Sequence, residues 1–362
     1  MRTRYAGGLR AGGSKSGGAT IALDATYSLG PNLSGVGVYS REILFGLARA
    51  HPESRFLFCY RQHRFLRALT ERRPPNASVA LLTERRAPDA DLFHGLNQRL
   101  NGARHRRSVT TFHDLFVISG DYSTPEFRAR FTAQAREAAE RSDLIIAVSA
   151  FTARQVEQLL KIEPSRIRVI HHGTHPPPPR PAIPRENIVL TVGAIQRRKN
   201  IVRLIEAFEH VPPRWKLVFA GSSGFDSAEA AQRAARSPRQ PDTQFLGYVS
   251  GSELEALYQR ASVFAFPSLD EGFGMPILDA MARGLPVLTS NASAMPEVAG
   301  DAALLVDPLS VESIADGLSR LTTDAALRDT LVQAGIKRAK RFTWENSVAE
   351  TWRVYEELIA KG

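Results

Sequence analysis

The chain has 362 residues, of which 43% are hydrophobic and 23% charged, which suits a globular protein of two domains. No apolar run approaches the ~18 residues that a membrane-spanning helix needs, and the single cysteine, Cys59, excludes an intrachain disulfide. The formal net charge of +10 favours anionic partners: nucleic acid, an anionic membrane surface or a phosphorylated substrate. A plain solvated basic surface is the simpler alternative.

Residues 1–18 are rich in Gly, Ser, Arg and Lys and lack the apolar centre of a secretory signal, so we predict a flexible tail. Beyond them, short β-rich apolar runs alternate with helical patterns, which predicts parallel sheets built from βαβ units. In the first half we expect strands at 20–25, 55–60, 78–82, 91–94, 109–113, 144–149 and 167–171, and helices at 38–50, 125–141 and 150–161.

A stretch with six prolines, 173–184, cannot continue a helix or a central strand and marks a domain boundary. The alternation then restarts, so we expect a second domain of the same kind. Ser252 and Glu255 have the spacing of a capping box. The expected strands are 188–192, 216–220, 243–246, 263–267, 286–289 and 303–306, and the expected helices are 201–211, 226–236, 252–260, 276–283, 311–321, 325–341 and 344–360.

The segment 263–284 runs from a buried strand through a glycine loop into a helix. Glu271 lies in the loop, and Asp279 lies in the first turns of the helix. Gly272 and Gly274 let backbone amides approach a ligand, and a helix N-terminus favours negative charge. An anion held here would have both carboxylates nearby as hydroxyl acceptors, which suits a sugar phosphate. A helix cap with an exposed acidic residue is the alternative.

Residues 271–279, EGFGMPILD, resemble the E-x7-E signature of retaining glycosyltransferases of family 4, which usually reads EGFG-x-P-x-x-EA. The resemblance implies that Glu271 contacts hydroxyl groups of the donor sugar. It also implies that the second acid holds the nucleotide ribose. That acid is Asp279 here, one methylene shorter than the usual Glu.

Three further segments resemble the same family in the same order. Residues 191–200 resemble its VGTLEPRKN segment, so Arg198 and Lys199 correspond to the cations that hold the diphosphate. Alone, that segment reads as a basic corner between a strand and a helix. Residues 33–41 resemble its glycine loop but lack the third glycine of a dinucleotide motif. Residues 111–115 resemble its HDL motif, which implies that His113 faces the donor sugar.

The resemblance implies an α/β protein of the GT-B type, in which two Rossmann-like, doubly wound domains face each other across a cleft. The implied boundaries are a first domain at 19–175, a linker at 176–186, a second domain at 187–341 and a final helix at 342–362 that crosses back to the first domain. The implied catalytic residues are Glu271, His113, Arg198 and Lys199. The implied donor-binding residues are Gly35, Gly37, Gly193, Gly272, Phe273, Gly274, Met275 and Asp279.

The implied activity is transfer of a hexosyl group, with mannosyl from GDP-mannose preferred, to a hydroxyl of a glycan or lipid-linked acceptor with retention. The context would be polysaccharide or lipopolysaccharide assembly. No metal or other cofactor is expected, since no His/Cys cluster has metal spacing and the D-x-D at 89–91 reads as a loop. A sugar-nucleotide epimerase and a non-catalytic sugar-nucleotide or polyanion-binding protein stay open as alternatives.

The basic segment 61–69 combines arginines with apolar residues, as a helix lying on a membrane surface does. An ordinary surface helix fits the same pattern. Nucleic acid is not predicted as a partner, because the basic residues are not interleaved with stacking aromatics. We therefore expect a cytoplasmic protein, with peripheral contact to the anionic inner membrane if this segment binds lipid.

Overall fold

The computed structural model describes residues 18–30, 32–179, 181 and 183–360, so the tail predicted at 1–18 lies outside it except for Gly18. The first domain contains a wholly parallel sheet whose central strands are buried. Its strands are β1 (Thr20–Asp24), β2 (Arg55–Arg61), β3 (Ala77–Leu82), β4 (Leu92–Gly95), β5 (Ser108–Phe112), β6 (Leu144–Ala147) and β7 (Ile167–Val169). Its helices are α1 (Gly35–Ala50), α2 (Gln62–Ala68), α3 (Phe116–Ser119), α4 (Pro125–Arg141) and α5 (Ala150–Leu160).

The second domain contains a second parallel sheet with helices on both faces. Its strands are β8 (Ile188–Val192), β9 (Lys216–Ala220), β10 (Thr243–Phe245), β11 (Val263–Phe266), β12 (Val287–Ser290) and β13 (Leu304–Val306). Its helices are α6 (Ile201–Phe208), α7 (Ser227–Ala235), α8 (Gly251–Arg260), α9 (Met275–Ala282), α10 (Met295–Ala299), α11 (Val311–Thr323) and α12 (Ala325–Ala339).

Both sheets have the strand order of a doubly wound fold. The first runs β3-β2-β1-β4-β5-β6-β7 and the second runs β10-β9-β8-β11-β12-β13. The order therefore reverses between β1 and β4 in the first sheet and between β8 and β11 in the second. Ligands of such sheets bind beyond the carboxyl ends of the strands at these reversals. The predicted pair of Rossmann-like domains is confirmed.

The last helix, α13 (Trp344–Ile359), leaves the second domain and packs on α1 in the core of the first. Its Tyr355 hydroxyl meets Nδ1 of His94 at 2.5 Å in the buried interior. The segment that returns to the first domain runs beside the segment that leaves it, because the Thr174 amide donates to the Phe342 carbonyl oxygen at 3.1 Å. Two stretches of chain thus cross between the domains side by side.

The predicted capping box at Ser252 and Glu255 is wrong. Ser250 caps α8 instead, with Glu253 as its partner: the Ser250 amide donates to Glu253 Oε2 at 2.7 Å. The two pairs have the same spacing, and Glu255 is occupied elsewhere because it forms a 2.8 Å ion pair with Arg283. Helices α3 and α10 were not predicted. Within the described ranges, no helix is long and apolar enough to cross a membrane.

Candidate active site

The loops beyond β8 and β11 bring two cations and one carboxylate together. Oε2 of Glu271 lies 2.8 Å from Nη1 of Arg198, and Oε1 lies 2.5 Å from Nζ of Lys199. The three side chains are largely buried, with exposures of 10% for Glu271, 14% for Arg198 and 10% for Lys199. Residues predicted from two separate motifs therefore form one cluster at the reversal point of the second sheet.

The electrostatics of this cluster keep it charged. Burial would raise the pKa of Glu271, but the charges of Arg198 and Lys199 outweigh it and hold this pKa at about 2. Burial lowers the pKa of Lys199 to about 8, against the opposing influence of Glu271. Burial would lower the pKa of Arg198, yet Glu271 and Asp114 raise it above its usual value. At neutral pH both cations are therefore charged, and the carboxylates of Glu271, Asp114 and Asp270 lie close enough to Arg198 to raise its pKa.

The backbone between β8 and α6 fixes the two cations. Arg198 and Lys199 lie in a 3-10 turn, which ends at Asn200 in the left-handed region at φ 61°. The Asn200 side chain donates to the carbonyl oxygens of Pro267, at 3.0 Å, and Pro308, at 2.6 Å. Gly193 lies beside the lysine, since a Cβ there would stand 3.4 Å from Lys199 Cε. The predicted donor-binding Gly193 therefore belongs to this cluster.

Arg197, which directly precedes these two cations in the sequence, points away from Glu271. Its Nη1 lies 3.8 Å from Asp121 of the first domain, and its side chain is 52% exposed. It lines a cavity of about 420 Å³ between α6, α7 and the first domain, together with Tyr122 and Arg203 among others. The structure thus separates Arg197 from the two cations that contact Glu271.

The loop after Glu271 faces the first domain. Gly274 precedes α9 with φ 98°, a backbone conformation that favours glycine. Met275 contacts the glycine loop of the first domain, since a Cβ at Gly35 would stand 2.8 Å from Met275 Cε. Gly37 lies deeper, where a Cβ would stand 2.9 Å from the Tyr27 carbonyl oxygen. Gly35 therefore allows close approach between the domains, whereas Gly37 allows close packing within the first domain.

Phe273 is 4% exposed and packs into an aromatic cluster between the domains. Its ring centre lies 4.9 Å from that of His172, which lies 4.9 Å from that of Tyr39. Trp344 of α13 completes the cluster at 5.8 Å from His172. The Phe273 side chain therefore contributes to domain packing, although it was predicted in the donor-binding set.

His113 is buried at the same interface, with 6% exposure. Its Nε2–H donates to the Leu96 carbonyl oxygen at 2.9 Å, and its Nδ1 lies 3.4 Å from Nε2 of His172. Burial lowers the pKa of His113 to about 4, so the ring is neutral at physiological pH. Both ring nitrogens meet protein groups here, and the part of His113 that faces the loop of the second domain is its backbone carbonyl.

Asp279 lies apart from the Glu271 cluster, in the middle of α9. The Thr174 hydroxyl donates to its Oδ1 at 2.6 Å, and Arg283 Nη1 lies 3.8 Å from the same oxygen. Its side chain keeps 39% exposure. It therefore remains accessible at the linker side of the helix.

The sequence motifs missed several residues around the cluster. Asp114 follows His113, and burial raises its pKa to about 6 while Arg198 opposes the rise. Asp270 precedes Glu271 and accepts a hydrogen bond from the Ser119 hydroxyl of α3 at 2.7 Å. Farther along the interface, Glu297 accepts hydrogen bonds from the amides of Ala150 and Phe151 at the start of α5. Adjacency to a motif was the available signal for Asp114 and Asp270.

Among the residues that the structure covers, no group of three or more His, Cys, Asp or Glu side chains could hold a metal ion. The charged cluster does bring a guanidinium and an ammonium group together, in Arg198 and Lys199. Such a pair suits a diphosphate, for which paired cations supply charge-assisted hydrogen bonds.

Two Rossmann-like domains facing each other, with paired cations and a carboxylate at the crevice, define the GT-B class of glycosyltransferases. Residues 33–176 match the family described as Glycosyltransferase Family 4, and residues 178–338 match that described as Glycosyl transferases group 1. The chain is 32% identical over 284 residues to O-antigen chain mannosyltransferase B of Escherichia coli, which covers 74% of each chain. It belongs to the family 4 glycosyltransferases and is an enzyme of that class.

Two other similarities agree with this assignment. The chain is 29% identical over 264 residues to the serotype-specific mannosyltransferase WbdA of Escherichia coli, covering 67% of this chain and 32% of WbdA. Among solved structures, sucrose-phosphate synthase from Thermosynechococcus elongatus has a TM-score of 0.75 and 21% identity, covering 95% of this chain and 100% of that one. This structural similarity confirms the predicted GT-B fold.

Proposed function

We propose that this glycosyltransferase transfers a mannosyl group from GDP-mannose to a hydroxyl of a glycan or lipid-linked acceptor, with retention of anomeric configuration. The contact of Glu271 with Arg198 and Lys199 carries the proposal. Both relatives are mannosyltransferases, and one of them is an O-antigen chain mannosyltransferase, which supports the mannosyl group and a role in polysaccharide assembly.

Arg198 and Lys199 would bind the diphosphate of the donor. Negative charge grows on the diphosphate as the bond to the sugar breaks, so cations fixed beforehand stabilise the transition state more than the ground state. The N-terminus of α9, with Gly274 before it, adds backbone amides that favour the same charge. Since both cations are already fixed by Glu271, little reorganisation is needed on binding.

Glu271 would orient the sugar. With a pKa of about 2 it is ionised throughout the physiological range and accepts hydrogen bonds from sugar hydroxyls. Gly272 to Met275 form the same loop, and the Met275 side chain reaches Gly35 of the first domain. Closure of the domains would then exclude water from the bond that breaks.

Retention would follow from attack on the face that the diphosphate leaves. The acceptor oxygen forms a bond to the anomeric carbon, the bond from that carbon to the phosphate oxygen breaks, and the acceptor proton moves to that phosphate oxygen. No side chain acts as a nucleophile in this scheme. With GDP-mannose, an α-linked donor, the product is an α-mannoside.

A panel of nucleoside diphosphates and their sugars tests the donor. A ligand that binds only the folded protein stabilises it by about 2.7 kcal/mol at one hundred times its Kd. We expect GDP and GDP-mannose to raise the melting temperature in the wild-type protein and much less in Lys199→Ala. A rise with UDP or ADP compounds and none with GDP would contradict the proposed donor.

Product analysis tests the reaction. We expect a new α-mannoside by NMR, formed only when an acceptor is present and formed equally with a chelator, since no metal is proposed. A β-linked product would contradict retention. An altered sugar nucleotide formed without acceptor would support the epimerase alternative, and loss of activity with EDTA would contradict metal independence.

We also propose peripheral contact with an anionic membrane, which suits a lipid-linked acceptor. Leu66 of α2 is 78% exposed and Leu69 is 50% exposed, and Arg67, Arg72 and Arg73 around them are exposed as well. Exposed leucines between arginines favour insertion into an anionic surface. Flotation with vesicles containing phosphatidylglycerol, compared with neutral vesicles and with a Leu66→Ser variant, tests this. Equal flotation in all three would contradict it.

A further inference from the structure

Helix α3 reaches from the first domain to Arg198 of the second. The guanidinium carbon of Arg198 lies 4.4 Å from the centre of the Phe116 ring. At this distance the negative face of an aromatic ring attracts a cation. Phe116 is half-buried and lies two residues after Asp114, so the loop after β5 fixes its position. The contact therefore joins a ring of one domain to a diphosphate-binding cation of the other.

Hydrogen bonds from its own domain fix the edge of the Arg198 guanidinium. Nε donates to Oε1 of Gln196 at 3.1 Å, and Nη1 donates to the backbone oxygen of Asp270 at 3.1 Å. Nη1 also pairs with Glu271 at 2.8 Å. These bonds leave the faces of the planar group to other neighbours, and the guanidinium carbon lies over the Phe116 ring.

The other end of α3 makes a second contact between the domains. The Ser119 hydroxyl donates to Oδ2 of Asp270 at 2.7 Å. Since Asp270 also accepts from Arg198 through its backbone, both ends of α3 act on the same guanidinium. Phe116 acts directly and Ser119 acts through Asp270.

Building on the function proposed above, we infer that Phe116 is a positioning residue that orients Arg198 for leaving-group stabilisation when the two domains are closed. The contact exists only while the first domain lies against the second. When the domains are open, a donor bound to the second domain therefore meets an Arg198 that is fixed only by the hydrogen bonds at the edge of its guanidinium group. The full orientation of Arg198 coincides with closure, so stabilisation of the departing diphosphate is coupled to the exclusion of water.

Kinetics of three variants test this role. Phe116→Leu keeps an apolar side chain but removes the π face, whereas Phe116→Tyr keeps the face. Phe127→Leu is the matched control, because Phe127 is a 42% exposed ring with Arg130 at 5.4 Å and lies on α4, away from Arg198. We expect Phe116→Leu to lower kcat about tenfold, with donor KM and nucleoside-diphosphate affinity unchanged. Phe116→Tyr should recover most of the rate, and Phe127→Leu should match the wild type.

Ser119→Ala gives an independent measurement, with a smaller loss of kcat expected at unchanged donor KM. Wild-type kcat in Phe116→Leu, or equal losses in Phe116→Leu and Phe116→Tyr, would overturn the inference. So would a loss of nucleotide affinity and melting temperature that parallels the loss of rate, because Phe116 would then only support packing. The assay uses whichever donor the wild type turns over, so a donor other than GDP-mannose contradicts the proposed function and leaves this test intact.

Discussion

Gly272 of the second domain lies directly against the backbone carbonyl oxygen of His113 in the first, where a Cβ atom would stand 1.7 Å from that oxygen. The carbonyl oxygen of Gly272 accepts hydrogen bonds from the hydroxyls of Ser149, at 2.6 Å, and Thr152, at 3.1 Å. One residue of the E-x7-E segment is thus held by two separate loops of the first domain. This glycine sets how closely the two domains approach.

Gly272→Ala should therefore separate the domains and slow transfer. A displacement of about 1 Å between reacting groups lowers the rate on the order of 100-fold, so we expect a loss of this size in kcat/KM. The circular dichroism spectrum should stay unchanged, since the clash lies between domains. Gly251→Ala is the control, because no atom lies within 4 Å of a Cβ there. Full activity in Gly272→Ala would show that the domains need not approach this closely.

Arg198→Ala and Arg197→Ala should differ sharply. Removing one fixed donor to a transition-state anion typically lowers kcat about 100- to 1,000-fold, which we expect for Arg198→Ala. Arg197 pairs with Asp121 and faces the neighbouring cavity, so Arg197→Ala should keep near wild-type kcat. Steady-state kinetics at saturating acceptor check both. Equal losses in the two variants would mean that the diphosphate reaches Arg197.

Activity should fall as the pH rises through about 8, since the pKa of Lys199 is about 8 and the neutral amine no longer stabilises the diphosphate. The pH profile of kcat/KM reports the free enzyme and is the appropriate measurement. Lys199→Arg, which stays charged, should lack this alkaline decline. A wild-type profile that is flat to pH 9.5 would contradict the lowered pKa.

The Glu271 ion pairs should stabilise the fold in a pH-dependent way. The pKa of Glu271, about 2, lies below the usual value of 4.5. The contribution of the ion pairs to stability is therefore present above pH 4.5 and is lost as the pH falls towards 2. Glu271→Gln leaves two buried cations without their partner, which typically lowers the free energy of unfolding by about 3–5 kcal/mol near pH 7. Guanidinium unfolding at pH 7 and pH 3 should show this difference shrinking at acid pH. An equal difference at both values would count against the assignment.

Tyr355→Phe should loosen the return of α13 to the first domain. The change leaves Nδ1 of buried His94 without its partner, which lowers the free energy of unfolding by roughly 1–3 kcal/mol. Thermal unfolding checks this, with Tyr248→Phe as the control, since Tyr248 is 53% exposed. Equal midpoints for the two variants would contradict the buried hydrogen bond.

The order of strands and helices was predictable because parallel strands that are buried on both faces, such as β8 and β11, appear in the sequence as short apolar runs. The Glu271 cluster was also predictable, since its members follow two strands that lie side by side in a doubly wound sheet. The position of the capping box was not predictable from the sequence, because Ser250 and Ser252 each have a Glu three residues later. Only packing decided between them, through the ion pair of Glu255 with Arg283.

The contacts of α3 could not be predicted from the sequence, for a different reason. Phe116 and Arg198 belong to different domains, and no periodicity or spacing in either segment reports the other. The same holds for the side chain of His113, whose surroundings depend on His172 and Tyr39 at the interface. The local sequence pattern predicts that a residue lies at the end of a particular strand. Contacts between domains depend instead on how two separately folded units pack together.

The paired crossings at Thr174 and Phe342 also limit how the enzyme can move. A single flexible connection would let one domain twist and slide relative to the other. Two connections bonded to each other at one edge leave rotation about the line that they share as the free motion. The contact between Phe116 and Arg198 would then break as the domains open and form again in the same register when they close. The loop of Glu271 would therefore meet the first domain in the same geometry after each opening.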